Sequence, residues 1–108
     1  MNYRVYYSFF STGQHQDPEE AKVVTELAEA VDLIDLLRTD EDIIYIFIED
    51  ISSRAHIELV DNELVFFLHL TNGMYRGDGG KSKIIDLILK LDQVCLNPKG
   101  FDITPITI

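Results

Sequence analysis

The sequence predicts an α+β fold, with a mostly antiparallel sheet of about five to six strands and two helices packed on one face of it. Residues 43–70 form three runs rich in β-branched and aromatic residues, which is the pattern of a central meander. Residues 26–38 and 81–96 repeat apolar side chains at helical spacing. A chain of 108 residues that is 46% hydrophobic supports one core, so residues 1–108 are predicted to form a single domain.

The first strand is predicted at residues 3–10, where side chains alternate between two sides and the aromatic side favours a place in the sheet. The next segment is open to two interpretations. Asp17-Pro18 has the form of a helix start, whereas Val23-Val24-Thr25 favours a strand. We predict a short strand at 21–24 followed by a helix, and the alternative is one helix over residues 18–39.

The first helix is predicted over residues 26–38, and its buried stripe comprises Leu27, Ala30, Val31, Ile34 and Leu37. Three acids on another side form what we call the acidic ridge: Glu26, Glu29 and Asp32. The following loop adds Asp40, Glu41 and Asp42 and extends the same negative surface. Acids here also favour solubility and suit the helix dipole, so partner binding is one of two interpretations.

The register of the meander is predicted from its turns. A two-residue turn at Asp61-Asn62 places Ile57 opposite Phe66. A tight turn at Ile51-Ser52 places Ile46 opposite Ile57. One face, which we call the inner face, is then wholly apolar and is predicted to form the core; it consists of Ile44, Ile46, Ile48, Ala55, Ile57, Leu59, Leu64, Phe66, Leu68 and Leu70.

The opposite side of the meander, the outer face, mixes aromatic and charged residues. It consists of Tyr45, Phe47, Glu49, Arg54, His56, Glu58, Val65, Phe67 and His69. The predicted registers place Glu49 opposite Arg54 and His56 opposite Phe67. One interpretation is an ordinary, partly solvent-exposed sheet surface that a terminal segment covers in part. The other is a recognition surface, because Tyr, Phe and Arg are enriched in the cores of protein interfaces.

Residues 71–82 are rich in glycine and are predicted to form a flexible loop, with Tyr75, Arg76 and Asp78 as exposed contact residues. Gly80-Lys81-Ser82 matches the end of a phosphate-binding loop, but Tyr75 occupies the position where that loop requires glycine. The second helix is predicted over residues 81–96, with a buried stripe of Ile84, Leu87, Ile88, Leu91, Val94 and Cys95. A last strand is predicted over residues 101–104, followed by a proline that suits a sheet edge.

Net charge indicates the kind of partner. Nineteen acids against nine bases give −10, which repels nucleic acid and anionic lipid and speeds encounter with a basic protein. We therefore expect a basic protein partner, no direct nucleic-acid binding and no membrane association. Cys95 is alone, and the start of the chain lacks a signal segment, so a reducing, cytoplasmic setting is predicted.

No pattern of catalytic residues identifies a reaction, so we expect no enzymatic activity and no cofactor. His56, His69 and Glu58 share the outer face and are candidate metal ligands, but Arg54 is predicted opposite His69 and a cation opposes metal binding. No metal site is therefore predicted. A small enzyme or ligand-binding subunit that uses the two histidines remains an alternative.

The order of elements over residues 3–80 resembles that of small bacterial immunity proteins of polymorphic and contact-dependent growth-inhibition toxin systems. The resemblance lies in the strand at 3–8, Val23-Val24-Thr25 before the helix at 26–37, the meander and the glycine-rich segment. One large group of these proteins is paired with nucleic-acid deaminase toxins. The resemblance implies a protein that binds one cognate toxin and performs no chemistry.

The resemblance and the charge together predict an immunity protein that occludes the basic active-site cleft of a nucleic-acid-acting toxin. The predicted contacts are Glu26, Glu29, Asp32, Asp40, Glu41, Asp42, Tyr75, Arg76 and Asp78. The same negative charge also fits an alternative, a phage or plasmid anti-defence protein whose acids mimic DNA. The sequence does not determine the oligomeric state.

Overall fold

An antiparallel sheet of eight strands forms one layer of the computed structural model, which describes residues 1–106. The strands are β1 (Tyr3–Phe9), β2 (Gln14–His15), β3 (Val23–Val24), β4 (Ile43–Ile48), β5 (Ser53–Val60), β6 (Glu63–Leu70), β7 (Gly73–Gly77) and β8 (Thr104–Ile106). The helices are α1 (Ala28–Leu33), α2 (Lys81–Leu89) and α3 (Leu91–Leu96). The α+β class is confirmed, and the sheet has more strands than the five to six predicted.

The predicted meander, now β4-β5-β6, lies at the centre of the strand order β2-β1-β4-β5-β6-β7-β8. β1 runs antiparallel to β4, and its free edge pairs with β3 near Tyr3 and with β2 near Phe9. The strand predicted in segment 21–24 is therefore present as β3, while the last strand lies at Thr104–Ile106 rather than at 101–104. β7 and β8 extend the sheet beyond β6.

The register between β5 and β6 is confirmed, with Ile57 opposite Phe66 and positive φ angles at Asp61 (53°) and Asn62 (65°). The register predicted between β4 and β5 is wrong by two residues, because Ile46 lies opposite Ala55. The connection is longer than a tight turn, since Glu49–Ile51 forms a 3-10 turn that ends at a left-handed Ser52. A shift of two residues keeps every side chain on its predicted face.

The segment predicted to be a glycine-rich loop is largely a strand. Leu70 pairs with Gly73 across a two-residue turn at 71–72, and Met74, Tyr75 and Arg76 continue as β7. The loop is confined to residues 78–80, where Gly79 and Gly80 have positive φ angles of 115° and 102°. Glycine content obscured the alternation of Met74, Tyr75 and Arg76, which is the pattern of a strand.

The core lies between the inner face of the sheet and the helices. The helices and the residues that flank them bury side chains of the predicted stripes there: Leu27, Ala30, Ile34, Leu37, Ile84, Leu87, Ile88, Leu91 and Val94. The helices are shorter than predicted. α1 ends in a 3-10 turn at Ile34–Leu36, and the predicted helix over 81–96 breaks at Lys90, whose φ and ψ are −107° and 22°. Among residues 1–106, no helix is long and apolar enough to cross a bilayer.

Gly77 lies where β7 packs closely against α2. A Cβ atom added there would lie 2.9 Å from Leu87 Cδ1 and 3.0 Å from Ile103 Cγ2. We expect Gly77→Ala to lower the free energy of unfolding by about 1 kcal/mol, because overpacking a closed site forces neighbours to shift. Urea denaturation measures this change. Gly73→Ala in the same strand is the control, since its Cβ would lie 3.7 Å from the nearest atom; equal loss in both variants would contradict the packing argument.

Candidate functional site

The acidic ridge is exposed. Glu26 lies just before α1, while Glu29 and Asp32 lie within it, and Asp40 and Glu41 are exposed on the turn that leads into β4. Among the residues described, none of these five carboxylates forms an ion pair or accepts a hydrogen bond. By contrast, Asp35 is ion-paired with Lys81. These five carboxylates are therefore open to solvent or to a cationic partner.

Asp42 was predicted to extend this surface, and that prediction is wrong. Its side chain is fully buried and accepts four hydrogen bonds, from Ser11 N (3.0 Å), Ser11 Oγ (2.7 Å), Arg38 N (2.9 Å) and Thr39 N (3.1 Å). Burial by itself raises the pKa of Asp42, but these hydrogen bonds outweigh it and lower the pKa to about 2. Asp42 fixes the β1–β2 connection to the turn before β4 and has no exposed atoms for a partner.

The residues predicted in the glycine loop do not join the acidic ridge. β7 lies three strands from β4, the strand that α1 contacts. Tyr75 pairs with Leu68 and packs half-buried against the core, whereas Arg76 lies on the outer face, with its guanidinium 5.7 Å from the centre of the Phe67 ring. Asp78 is exposed on the loop, and its carboxylate lies 3.8 Å from Arg76. Tyr75 and Arg76 therefore point to opposite faces and cannot act together as tip residues.

A groove of about 310 Å³ lies beside the acidic ridge, and we call it the ridge groove. Met1, Leu27, Ala28 and Leu89 supply its apolar lining, and Glu26 and Asp92 supply its carboxylates. Leu89 is 58% exposed, because it lies off the stripe by which α2 packs on the core. Asp92 and Leu89 were not predicted in this groove, because their meeting with Glu26 depends on how α2 and α3 pack beside α1.

The outer face carries a continuous row of aromatic rings across four strands. Tyr6 of β1 stacks on Tyr45 of β4 with ring centres 4.9 Å apart. His56 of β5 stacks on Phe67 at 4.7 Å and on His69 at 5.1 Å, both from β6. The predicted pairings of His56 with Phe67 and of Arg54 with His69 are confirmed. Glu49, however, forms its ion pair with Arg4 and not with Arg54, because of the shifted β4–β5 register.

Both histidines in this row are held neutral. Burial is the main cause that lowers the pKa of His56 to about 4, and His69 and Arg54 lower it further. Burial and then Arg54 also lower the pKa of His69. Glu58 is a weak counter-charge, because its Oε1 lies 3.9 Å from His56 Nε2 and burial raises its own pKa. Within residues 1–106, no group of three or more His, Cys, Asp or Glu side chains is placed to hold a metal ion.

An open cleft of about 770 Å³, which we call the sheet cleft, occupies one end of the outer face. Outward side chains of four strands line it: Arg4, Tyr6, Phe47, Arg54 and His69. One wall is formed by Pro18 and Glu19 in the 3-10 turn Pro18–Glu20. That turn is held in place by Arg4, which donates a hydrogen bond of 2.8 Å to the Ala21 carbonyl. The size is within the range of small-molecule sites, roughly 300–1,000 Å³.

Comparison with known proteins finds no matching family model, no similar curated protein and no similar solved structure. Function must therefore be inferred from the chain's own surfaces. Two are distinct in character: the acidic ridge with its groove on the helical side, and the aromatic outer face with its cleft. They lie on opposite sides of the sheet.

Proposed function

We propose that this protein is an immunity protein, which binds a basic, nucleic-acid-acting toxin and blocks its active-site cleft without catalysing a reaction. The observation that carries the proposal is a set of exposed carboxylates that have no ion-pair partner within residues 1–106: Glu26, Glu29, Asp32, Asp40 and Glu41. Exposed, unpaired acids on a chain with a net charge of −10 attract a cationic surface and repel nucleic acid.

The ridge groove supports the same proposal with a more specific contact. An arginine or lysine side chain has an apolar stem and a charged head. The stem would lie against Met1 and Leu89, while the head would reach Glu26 or Asp92. A basic cleft offers several such side chains, so steering by the ridge and anchoring in the groove would act on one face. Asp42, which was predicted as a contact, does not belong to this surface because it is buried.

Partner capture is the first test. The full chain, produced with an affinity tag in its native host, should co-purify with one protein that carries a basic cleft and is toxic when expressed alone. An equally strong association with several unrelated nucleic-acid enzymes would instead favour a DNA mimic. Turnover of a substrate by the purified chain alone would refute the proposal.

Charge reversal of the ridge is the second test. We expect the triple variant Glu26→Lys, Glu29→Lys, Asp32→Lys to slow association with the captured partner by about tenfold or more at low ionic strength, because it removes the steering field. Stopped-flow or surface-based kinetics measures the on-rate. The matched control reverses three exposed acids away from the ridge, Asp17, Glu20 and Glu63, with the same change in net charge. Equal slowing in both variants would assign the effect to overall charge rather than to the ridge.

A further inference from the structure

We infer that the sheet cleft is a binding site for a small aromatic carboxylate, with Arg54 holding the carboxylate and the aromatic walls holding the ring. This site lies on the outer face, away from the acidic ridge, and does not depend on the proposed function. It would be a second binding activity of the same chain.

Among residues 1–106, Arg54 is the arginine of the outer face without a carboxylate partner, and its guanidinium lies beside the Tyr6 hydroxyl. Arg4 is ion-paired with Glu49, and Arg76 lies 3.8 Å from Asp78. No carboxylate within residues 1–106 lies in ion-pair range of Arg54, whose guanidinium lies 5.8 Å from the centre of the Tyr45 ring. A guanidinium presents two parallel N–H groups that match the two oxygens of a carboxylate. The charge on the cleft wall is therefore complementary to one anionic group.

The walls beside Arg54 suit a flat apolar body. Phe47 lies opposite Arg54 in the β4–β5 register, and Tyr6 lies on the neighbouring strand and stacks on Tyr45. Pro18 faces them from the 3-10 turn. Arg4 fixes that turn through the Ala21 carbonyl, so the wall is formed before a ligand arrives. A ring inserted between Pro18 and the sheet would bury its faces against carbon and leave its carboxylate beside Arg54.

The charges around the cleft select a single negative charge. His69 adds no positive charge at neutral pH, because burial and Arg54 both lower its pKa. Glu19 lines the cleft as a carboxylate, and the chain as a whole carries −10. A polyanion such as nucleic acid or a polyphosphate would be repelled by this field, whereas one carboxylate on an aromatic body needs only Arg54.

The probe for this inference is 2-naphthoate, with uncharged 2-naphthamide as its matched control. Both are titrated into the full chain labelled with ¹⁵N, and binding is followed by amide chemical shifts. We expect saturable shifts at Tyr6, Phe47 and His69 with naphthoate, and about tenfold or weaker binding of the amide. Arg54→Gln should weaken naphthoate binding about tenfold and leave the affinity for the amide unchanged.

Arg38→Gln is the control variant, because Arg38 is an exposed arginine outside the cleft and its loss changes the net charge equally. It should bind naphthoate as the natural chain does. Arg54→Lys keeps the charge but loses the paired N–H groups. Its affinity for naphthoate should therefore fall between that of the natural chain and that of Arg54→Gln. Equal binding of acid and amide, an unchanged affinity in Arg54→Gln, or shifts confined to residues outside the cleft would each overturn the inference.

Discussion

Asp42→Asn is expected to lower the free energy of unfolding by about 3 kcal/mol, although it only replaces one buried carboxylate oxygen by an amide group and keeps the shape of the side chain. Both carboxylate oxygens of Asp42 accept N–H donors: Oδ1 from Ser11, and Oδ2 from Arg38 and Thr39. An asparagine offers one acceptor and one amide group, so whichever way it is turned an N–H would face another N–H. Urea denaturation at neutral pH measures the loss.

Glu41→Gln is the control for Asp42, since it removes the same charge from the adjacent residue. Glu41 is exposed, and its side chain has no hydrogen bond to any of residues 1–106, so we expect a change within about 0.5 kcal/mol. The folded pKa of Asp42, about 2, lies below its ordinary value of 3.8. Its contribution is therefore complete above pH 3.8 and is lost as the pH falls towards 2. A stable Asp42→Asn variant would show that the four donors find other acceptors.

Stability is expected to fall by about 2 kcal/mol as the pH is lowered from about 6.5 to about 4, with His56 as the main cause. The folded pKa of His56 is about 4, below its ordinary value of 6.5. The unfolded chain therefore takes up the proton first, so the contribution of neutral His56 is complete above pH 6.5 and is lost through this window. Urea midpoints at half-unit pH steps measure the slope.

His56→Phe separates this histidine from the other titrating groups. Phenylalanine keeps the stacking on Phe67 and removes Nδ1, which is buried without a hydrogen-bond partner among residues 1–106. We expect the variant to be at least as stable as the natural chain at pH 7, with a smaller slope between pH 6.5 and 4. His69 would cause part of the slope that remains, because its pKa is also lowered. An unchanged slope would assign the pH dependence to other groups.

The outer face is the part of the candidate site that the sequence predicted best. Strict alternation along β5 and β6, with a hairpin turn of known length, placed Arg54 opposite His69 and His56 opposite Phe67, and both pairings are confirmed. The sheet cleft was not predicted. It requires β1 to lie beside β4, which brings Tyr6 and Arg4 to this face, and no local pattern indicates which strands become neighbours across the sheet.

Charge alone was a poor guide to exposure. Asp40, Glu41 and Asp42 are three consecutive acids, yet only the first two are exposed. Asp42 is buried because three backbone N–H groups from two distant turns need an acceptor, and it is the side chain that reaches them all. A loop acid that serves as such an acceptor looks the same in sequence as one that faces water.

By itself, the sequence determined the α+β class, the two faces of the meander, the buried stripes of the helices and the excess of negative charge. These follow from the period-2 and period-3.6 patterns of side chains and from composition, which are local or additive properties of the chain. Only the tertiary structure decided which acids are exposed, that residues 73–77 form a strand, and which side chains meet in the sheet cleft and in the ridge groove. Those outcomes depend on contacts between residues far apart in the chain, where the hydrogen bonds and packing of one segment are completed by another.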